Sequence, residues 1–130
     1  MARETYTISE LAAEFGIKAS AIRYYETMGL ITPERSVGNR RIYTRRNRAR
    51  LKLILRGKRF GATLDQIREM IGSADEAIGE AMQIERSLRH IELKREEIAR
   101  HREELELFES DLASLKKNLL KRKREIESTA

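Results

Sequence analysis

The sequence predicts a mainly α protein in which an N-terminal winged helix-turn-helix domain is followed by a long helix in a coiled coil. Three observations carry this prediction. Two short amphipathic segments near the N-terminus are separated by a glycine, and a short alternating segment flanked by arginines follows them. Apolar residues then recur every seven positions through the C-terminal half. We expect two domains, a head at residues 1–72 and a dimerisation helix with a short tail at residues 73–130.

The first two helices have clear start and stop signals. Thr7 and Glu10 have the spacing of a capping box. An apolar stripe follows and consists of Ile8, Leu11, Ala12 and Phe15. Gly16 ends this helix, and a second helix is predicted over about 19–28. A helix, a tight turn and a second short helix form the helix-turn-helix arrangement.

The rest of the head is predicted to contain a β-ribbon and two more helices. Pro33 stops the second helix, residues 36–39 have turn composition, and residues 41–43 alternate as a strand. A basic helix is expected over about 44–60. Residues 63–66 match a second capping box and open a short helix that ends before a hinge at Gly72.

The C-terminal segment is predicted to be one long helix that pairs with another. Residues 73–76 match a third capping box, which we expect to start it. The predicted dimerisation seam consists of Ile84, Leu88, Ile91, Ile98, Leu105, Phe108, Leu112, Leu115 and Leu119. A helix over 80–126 would be roughly 70 Å long at ~1.5 Å per residue, too long to bury this seam on the small head alone. A second copy of the chain is the simplest partner.

The middle of the seam is polar. The residues that interrupt it are Lys94, Arg95, His101 and Arg102. Three explanations remain open: they fix the register of pairing, they line an effector pocket, or their long side chains extend out to water.

Charge is distributed unevenly along the chain. Residues 1–72 contain fifteen Lys or Arg and seven Asp or Glu, a net +8, whereas residues 73–130 contain twelve and fourteen, a net −2. Between Glu34 and Asp65 there are eleven basic residues and no acidic one. An ordinary solvated surface mixes both signs, so this block indicates a polyanionic partner, which releases counterions on binding.

Composition excludes several classes of protein. The chain of 130 residues has no cysteine, which excludes a disulfide framework, a thiolate metal site and a thiol redox switch. His90 and His101 are the only histidines and lie too far apart to chelate one ion from one chain without help. No nucleophile–base pair or phosphate-binding glycine loop suggests an enzyme. We expect no metal, no cofactor, no membrane segment and a cytoplasmic, nucleoid-associated location.

Several segments carry a resemblance to a known family. They are residues 7–12 (TISELA), 21–26 (AIRYYE), 29–31 (GLI) with Pro33, and 41–43 (RIY), followed by the long helix. Together they resemble the MerR family of transcription regulators over residues 5 to about 72, and the coiled coil resembles the family in kind. Residues 51–59 (LKLILRGKR) also resemble the branch that controls leucine, isovalerate and fatty-acid breakdown.

The resemblance implies a winged-helix homodimer joined by an antiparallel coiled coil. Such a dimer would bind a palindromic site in double-stranded DNA between two promoter elements and distort it so that RNA polymerase engages both. A small-molecule effector would control it. The cysteines that metal- and redox-sensing members carry are lacking here, so we do not expect this effector to be a metal.

Alternatives to this regulator remain open. The first is an effector-free architectural or accessory DNA-binding protein. The second is a coiled-coil protein whose basic head contacts an acidic partner.

The implied DNA-binding residues are Lys18, Ala19, Ser20, Arg23, Tyr24, Arg40, Arg41, Tyr43, Arg45, Arg46 and Lys58. We expect the second helix to enter the major groove, with Arg23 at a base edge or a phosphate and Tyr24 at a phosphate. On the wing, Arg40 and Arg41 are expected along the backbone or in the minor groove, and Tyr43 at a phosphate.

Two positions depart from the family pattern. Lys18 stands where members often have a Ser or Thr N-cap, so the second helix is expected to start differently or to use Ser20, with Lys18 free to touch DNA. Asn39 and Arg40 stand where the wing often has Gly-Tyr; the turn is retained and a stacking tyrosine is lost. Tyr25 is expected either to pack against the wing as a structural residue or to face outward.

Overall fold

The computed structural model describes residues 4–76 and 78–129, and these residues form five helices and three short strands. In chain order they are β1 (Thr5–Tyr6), α1 (Ile8–Phe15), α2 (Ala19–Thr27), β2 (Glu34–Arg35), β3 (Arg41–Thr44), α3 (Arg45–Arg59), α4 (Leu64–Ile71) and α5 (Glu80–Ser128). The chain divides into two compact units, Met1–Leu88 and Arg89–Ala130. The mainly helical architecture with an N-terminal helix-turn-helix and a long C-terminal helix is confirmed.

The helix-turn-helix begins and turns as its sequence predicts. Thr7 Oγ1 accepts the Glu10 N–H at 3.1 Å, and the Glu10 carboxylate accepts the Thr7 N–H at 3.0 Å. Gly16 ends α1 in the left-handed conformation with φ of 64°. Helix α2 starts directly after Lys18, whose side chain makes no capping bond. The expected shift of the start, or a cap from Ser20, is therefore wrong: Lys18 is the N-cap and Ser20 lies inside the helix.

A three-stranded antiparallel sheet in the order β1-β3-β2 forms the wing and joins it to α1. Tyr6 pairs with Tyr43 in one ladder, and Arg35 pairs with Arg41 in the other. The turn over 36–39 brings Asn39 into the left-handed region at φ 59°. The ribbon and its turn were predicted. Strand β1 was not, because two residues are too short to show alternation.

The head has one hydrophobic core to which α1, α2, β3, α3 and α4 all contribute. Its buried apolar residues are Leu11, Ile22, Tyr25, Leu30, Ile31, Tyr43, Leu51, Ile54, Ala62, Ile67 and Ile71. Helices α3 and α4 approach closely at Gly57, where an added Cβ would lie 2.7 Å from Ile67 Cγ1. A larger residue at Gly57 would therefore push α4 away from the core.

The connection between α4 and α5 corrects one prediction. The Glu76 N–H donates to Ser73 Oγ at 3.3 Å, as a capping box requires, but no helix follows and α5 begins only at Glu80. The same side-chain bond forms in an isolated turn, and Gly79 stands where a helix would have to continue. At Gly72, with φ of 78°, a Cβ would meet the Glu76 carbonyl at 2.9 Å. The hinge thus requires glycine.

Helix α5 extends over 49 residues, Glu80–Ser128, and none of them is buried. All nine predicted seam residues are exposed large hydrophobic side chains. Ile126 continues the seven-residue row at 53% exposure. No helix in the described ranges is both long enough and apolar enough to cross a membrane.

Candidate nucleic-acid interface

Helix α2 presents a polar, cationic face and buries the opposite one. Ile22 and Tyr25, three positions apart, are buried in the core. The residues of the predicted site that α2 and its N-cap expose are Lys18, Ser20, Arg23 and Tyr24, with Ala19 half-buried. Tyr24 is 52% exposed and its ring centroid lies 6.3 Å from that of Tyr25. The helix can therefore offer Arg23 and Tyr24 to a partner while Tyr25 anchors it.

Tyr25 is a core residue, which decides the question that the sequence left open. Its side chain is 8% exposed and belongs to the hydrophobic cluster. Burial raises the pKa of its phenol. The contact expected from this pair of tyrosines therefore falls to Tyr24 alone.

Glu26 ties the wing to α2. Its carboxylate accepts the Arg41 Nε–H at 2.9 Å and lies 3.8 Å from an Arg35 Nη. Arg35 and Arg41 are paired across the β2–β3 ladder, so one carboxylate holds both strands of the wing. Glu26 is the only acidic residue between Glu14 and Glu34, a signal that the sequence contained and that our sequence analysis did not use.

Arg41 is thus committed in part to an intramolecular pair. Its side chain is 34% exposed, and Nε points at Glu26. Its expected DNA contact would use the Nη atoms only. The primary role that these contacts indicate for Arg41 is to fix the wing against α2.

The predicted phosphate contact of Tyr43 is wrong. Its side chain is fully buried, and its hydroxyl has no hydrogen-bond partner among the described residues. Strand β3 is the central strand and is packed by both α1 and α3, so the Tyr43 ring lies inside the head. Burial, with Glu26 nearby, raises the pKa of the phenol.

Arg40 lies at the exposed end of the wing turn. Its backbone N–H donates to Ser36 Oγ at 3.1 Å, while its own N-terminal neighbour Asn39 donates its N–H to the Ser36 carbonyl at 2.9 Å. The guanidinium has no partner among the residues that the structure describes. The turn therefore fixes the backbone and leaves the Arg40 charge available.

The start of α3 provides a further cationic position. Thr44 and Asn47 form a reciprocal cap, with bonds of 3.1 and 2.8 Å. Asn47 Nδ2 also donates to the Thr32 carbonyl at 3.1 Å, which ties α3 to the loop after α2. Arg45 and Arg46 are exposed beside this cap. The cap thus holds both cations at a fixed point after the wing.

Lys58 is exposed near the other end of α3. It is thirteen residues after Arg45, about 20 Å along the helix at ~1.5 Å per residue. The structure therefore does not bring Lys58 together with the cations at the start of α3.

Two arginines of the basic block are bonded within the head: Arg48 in an ion pair at its surface and Arg50 in its interior. Arg48 binds Glu14 through Nε at 2.9 Å and lies 5.8 Å from the ring centroids of Tyr6 and Phe15. This pair lowers the pKa of Glu14 and raises that of Arg48. Arg50 is buried, and burial lowers the pKa of its guanidinium. The burial of Arg50 could have been predicted from the sequence, because its spacing from Leu51 and Ile54 places it on the core-facing side of α3.

The exposed cations that remain without an ion pair in the described part of the head are Lys18, Arg23, Arg40, Arg45, Arg46, Lys52, Arg56, Lys58 and Arg59. Six of these cations are predicted DNA-contact positions: Lys18, Arg23, Arg40, Arg45, Arg46 and Lys58. What this set can do chemically is bind a polyanion through exposed guanidinium and ammonium groups. Among the described residues, no group of His, Asp or Glu is arranged to hold a metal ion.

Comparison with known families identifies two regions of the chain. The profile described as MerR HTH family regulatory protein matches residues 6–73, and the profile described as MerR, DNA binding matches residues 48–115. Each covers half of the chain or more. The first contains the helix-turn-helix and the wing, and the second extends from α3 into α5.

Curated relatives of this chain are regulatory proteins of bacteria. The mercuric resistance operon regulatory protein of Bacillus cereus is 39% identical over 71 residues, 54% of each chain. The HTH-type transcriptional regulator CueR of Bacillus subtilis (strain 168) is 34% identical over 96 residues, 68% of this chain and 67% of CueR. The aligned part thus spans about half of the first relative and two thirds of the second.

Solved structures of similar proteins share the architecture. HiNmlR, a MerR family regulator lacking the sensor domain and bound to promoter DNA, is 30% identical with a TM-score of 0.56, over 84% of each chain. PbrR691 from Ralstonia metallidurans CH34, in complex with lead(II), is 30% identical with a TM-score of 0.59, over 90% of this chain and 87% of that one. From its fold, its cationic helix-turn-helix and these matches, this chain belongs to the MerR family of helix-turn-helix, DNA-binding transcriptional regulators.

Proposed function

We propose that this chain binds a palindromic promoter site in double-stranded DNA as a homodimer, with one head on each half of the site. The observation that carries the proposal is the exposed cationic face of α2, held rigidly to the wing by Glu26. A recognition helix can read bases only if its neighbouring backbone contacts keep it in one orientation. The Glu26 pair supplies that constraint within the head.

The proposed contacts follow from exposure and pairing. Arg23 reaches a base edge or a phosphate in the major groove, and Tyr24 donates its hydroxyl to a phosphate. Arg40 follows the backbone or enters the minor groove from the wing tip. Arg45 and Arg46 contact phosphates beside it, and the remaining proposed contacts are Lys18, Ala19, Ser20, Arg41 and Lys58.

The proposed dimer uses the exposed seam of α5. Nine large apolar side chains on one helix, each 49–68% exposed, are costly in water at about 25 cal/mol per Å². An antiparallel coiled coil with a second copy would cover them and place one head at each end. In this proposal residues 73–130 form the dimerisation domain and residues 1–72 the DNA-binding domain.

Regulation is proposed to act through DNA shape. The dimer would bend or twist the DNA between the two promoter elements so that RNA polymerase contacts both, and the backbone contacts would offset the deformation energy. The protein would act in the cytoplasm, on the nucleoid. The effector would be a small metabolite, with acyl-CoA compounds as the first candidates because residues 51–59 resemble the branch that controls leucine and fatty-acid breakdown.

A second candidate function is an effector-free regulator. HiNmlR, which aligns over 84% of both chains, is described as lacking the sensor domain while bound to promoter DNA. This chain also contains no cysteine with which to bind thiophilic metals. Transcription from the bound promoter, measured with and without acyl-CoA compounds, separates the two: a response supports the metabolite-controlled regulator, and identical output with each compound supports the effector-free one.

The test of the main proposal is selection of binding sites from randomised duplex DNA with the full chain, followed by footprinting. We expect an enriched sequence with two-fold symmetry and protection of both halves. Enrichment of a single asymmetric site, or no enrichment over random sequence, would contradict the proposal. Promoter DNA near the gene itself then tests whether the selected sequence lies between promoter elements.

A further inference from the structure

Three consecutive carbonyls at the end of the recognition helix are held by the hinge region. The carbonyls of residues 28–30 accept hydrogen bonds, in order, from an Nη of Arg68, from the Ala74 N–H at 2.8 Å and from Arg50 Nε at 2.8 Å. These donors come from α4, from the segment after it and from α3. The exit from α2 is thus bonded directly to the residues that lead into α5.

Arg50 has the central position in this network. Besides Leu30, its guanidinium donates to the Ile71 carbonyl at 3.3 Å and to the Gly72 carbonyl at 2.6 Å. Arg50 is only 5% exposed, and its hydrogen-bond partners among the described residues are all carbonyl oxygens. Two of them belong to the C-terminal end of α4, where the helix dipole favours a cation.

Stability alone is a weak explanation for this arrangement. A buried charge costs desolvation energy, and apolar side chains of similar volume often stabilise a core as well or better. What a guanidinium adds is a planar set of directional donors that holds three carbonyls in one mutual geometry. Here those carbonyls belong to the exit of α2 at Leu30 and to the hinge at Ile71 and Gly72.

The same hinge is bonded from the other side by the first turns of α5. Gln83 Nε2 donates to the Ile71 carbonyl at 3.4 Å, and an Arg86 Nη donates to the Glu69 carbonyl at 3.1 Å. The Ile71 carbonyl is therefore shared between Arg50 of the head core and Gln83 of α5. A continuous path runs from Leu30 through Arg50 and Ile71 to Gln83.

We propose that Arg50 is a positioning residue that, with Gln83, fixes the direction in which α5 leaves the head and so the separation of the two recognition helices. This inference rests on the proposed homodimer, in which that direction decides which half-site spacing both heads can reach at once. Arg50 would therefore contribute to selectivity for operator spacing without touching DNA.

The test compares binding to three kinds of duplex: the selected full site, one half of it, and full sites with one central base pair inserted or removed. The variants are Arg50→Met and Gln83→Ala, with Arg100→Met on the exposed surface of α5 as the control for the same substitution. Affinities come from fluorescence anisotropy, after circular dichroism has established that each variant is folded. Gln83→Ala keeps the head core intact, so the test stands even if Arg50→Met does not fold.

We expect wild type and Arg100→Met to prefer the full site over both altered spacings. Gln83→Ala, and Arg50→Met if folded, should keep their half-site affinity and lose about tenfold of the discrimination between spacings, within the range of coupling changes that single residues produce. Unchanged discrimination in folded Gln83→Ala would overturn the inference. A wild type with no preference for the full site over the half site would instead overturn the proposed dimeric function.

Discussion

The head and the C-terminal helix differ in whether they bury their apolar residues. The head buries eleven apolar residues in one core and uses its polar groups to bond its own elements together. Helix α5 buries none, although its predicted seam contains nine large apolar side chains. The difference teaches that the head contains the partners for its own fold, whereas the apolar residues of α5 have no burying partner in the described part of the chain.

The substitution with the largest expected effect is one that prevents α5 from pairing with a second copy. Ile98→Glu would place a carboxylate from each chain in the apolar seam, where burial of an uncompensated charge is strongly unfavourable. We expect a monomer in sedimentation velocity and loss of full-site binding. Ala99→Glu, the adjacent residue off the seam, is the control and should remain dimeric. A dimeric Ile98→Glu would show that the seam is misassigned.

Deleting the same side chain in the two regions sharpens the comparison. Leu51→Ala removes a fully buried leucine from the head and should lower the free energy of unfolding by about 2–5 kcal/mol. Leu105→Ala in α5 should instead weaken the dimer and make the melting temperature depend more on protein concentration. Sedimentation equilibrium and thermal melts over a range of concentrations measure both. Equal effects on the dimer Kd would contradict the division of roles.

Within the head, an arginine without an ion pair and an arginine in an ion pair should affect DNA binding differently. Arg23→Ala should weaken specific DNA binding by roughly 1–3 kcal/mol if Arg23 contacts a base, with little change on random DNA. Arg48→Ala is the matched control because Arg48 is bound to Glu14, and we expect its DNA affinity to equal that of wild type. Equal losses on specific and random DNA would place Arg23 at a phosphate. A larger loss for Arg48 than for Arg23 would refute the pairing argument.

The smallest expected effect concerns the buried hydroxyl of Tyr43. Tyr43→Phe removes a buried hydroxyl that has no hydrogen-bond partner among the described residues. We therefore expect the free energy of unfolding to increase by about 1 kcal/mol. DNA affinity should not change. Chemical denaturation and anisotropy measure the two quantities, and a loss of DNA affinity would restore the phosphate contact that burial argues against.

Local signals in the sequence were enough to predict most elements. The capping pairs at Thr7 and Thr63, the glycine at position 16 and the seven-residue row of α5 each depend on neighbours within one or two turns. The cap between Thr44 and Asn47 was missed because Asn replaces the usual Glu or Gln.

Long-range contacts were not predictable in the same way. By its charge alone, Arg50 cannot be distinguished in the sequence from the other cations of the basic block. The carbonyl oxygens that it binds lie 20 to 22 residues away in the chain. The alternation around Tyr43 is typical of a surface strand, and only the tertiary packing of α1 and α3 against β3 buries this side chain. The spacing within each helix fixes its faces, whereas the partner of each face depends on the tertiary arrangement.

In the proposed dimer, two heads read one operator because α5 joins two copies of the chain. Native mass spectrometry of the full chain with the selected full-site duplex tests it most directly. We expect two protomers on each duplex at saturation, both for the wild-type chain and for Ala99→Glu. One protomer per duplex at saturating protein concentration would contradict it.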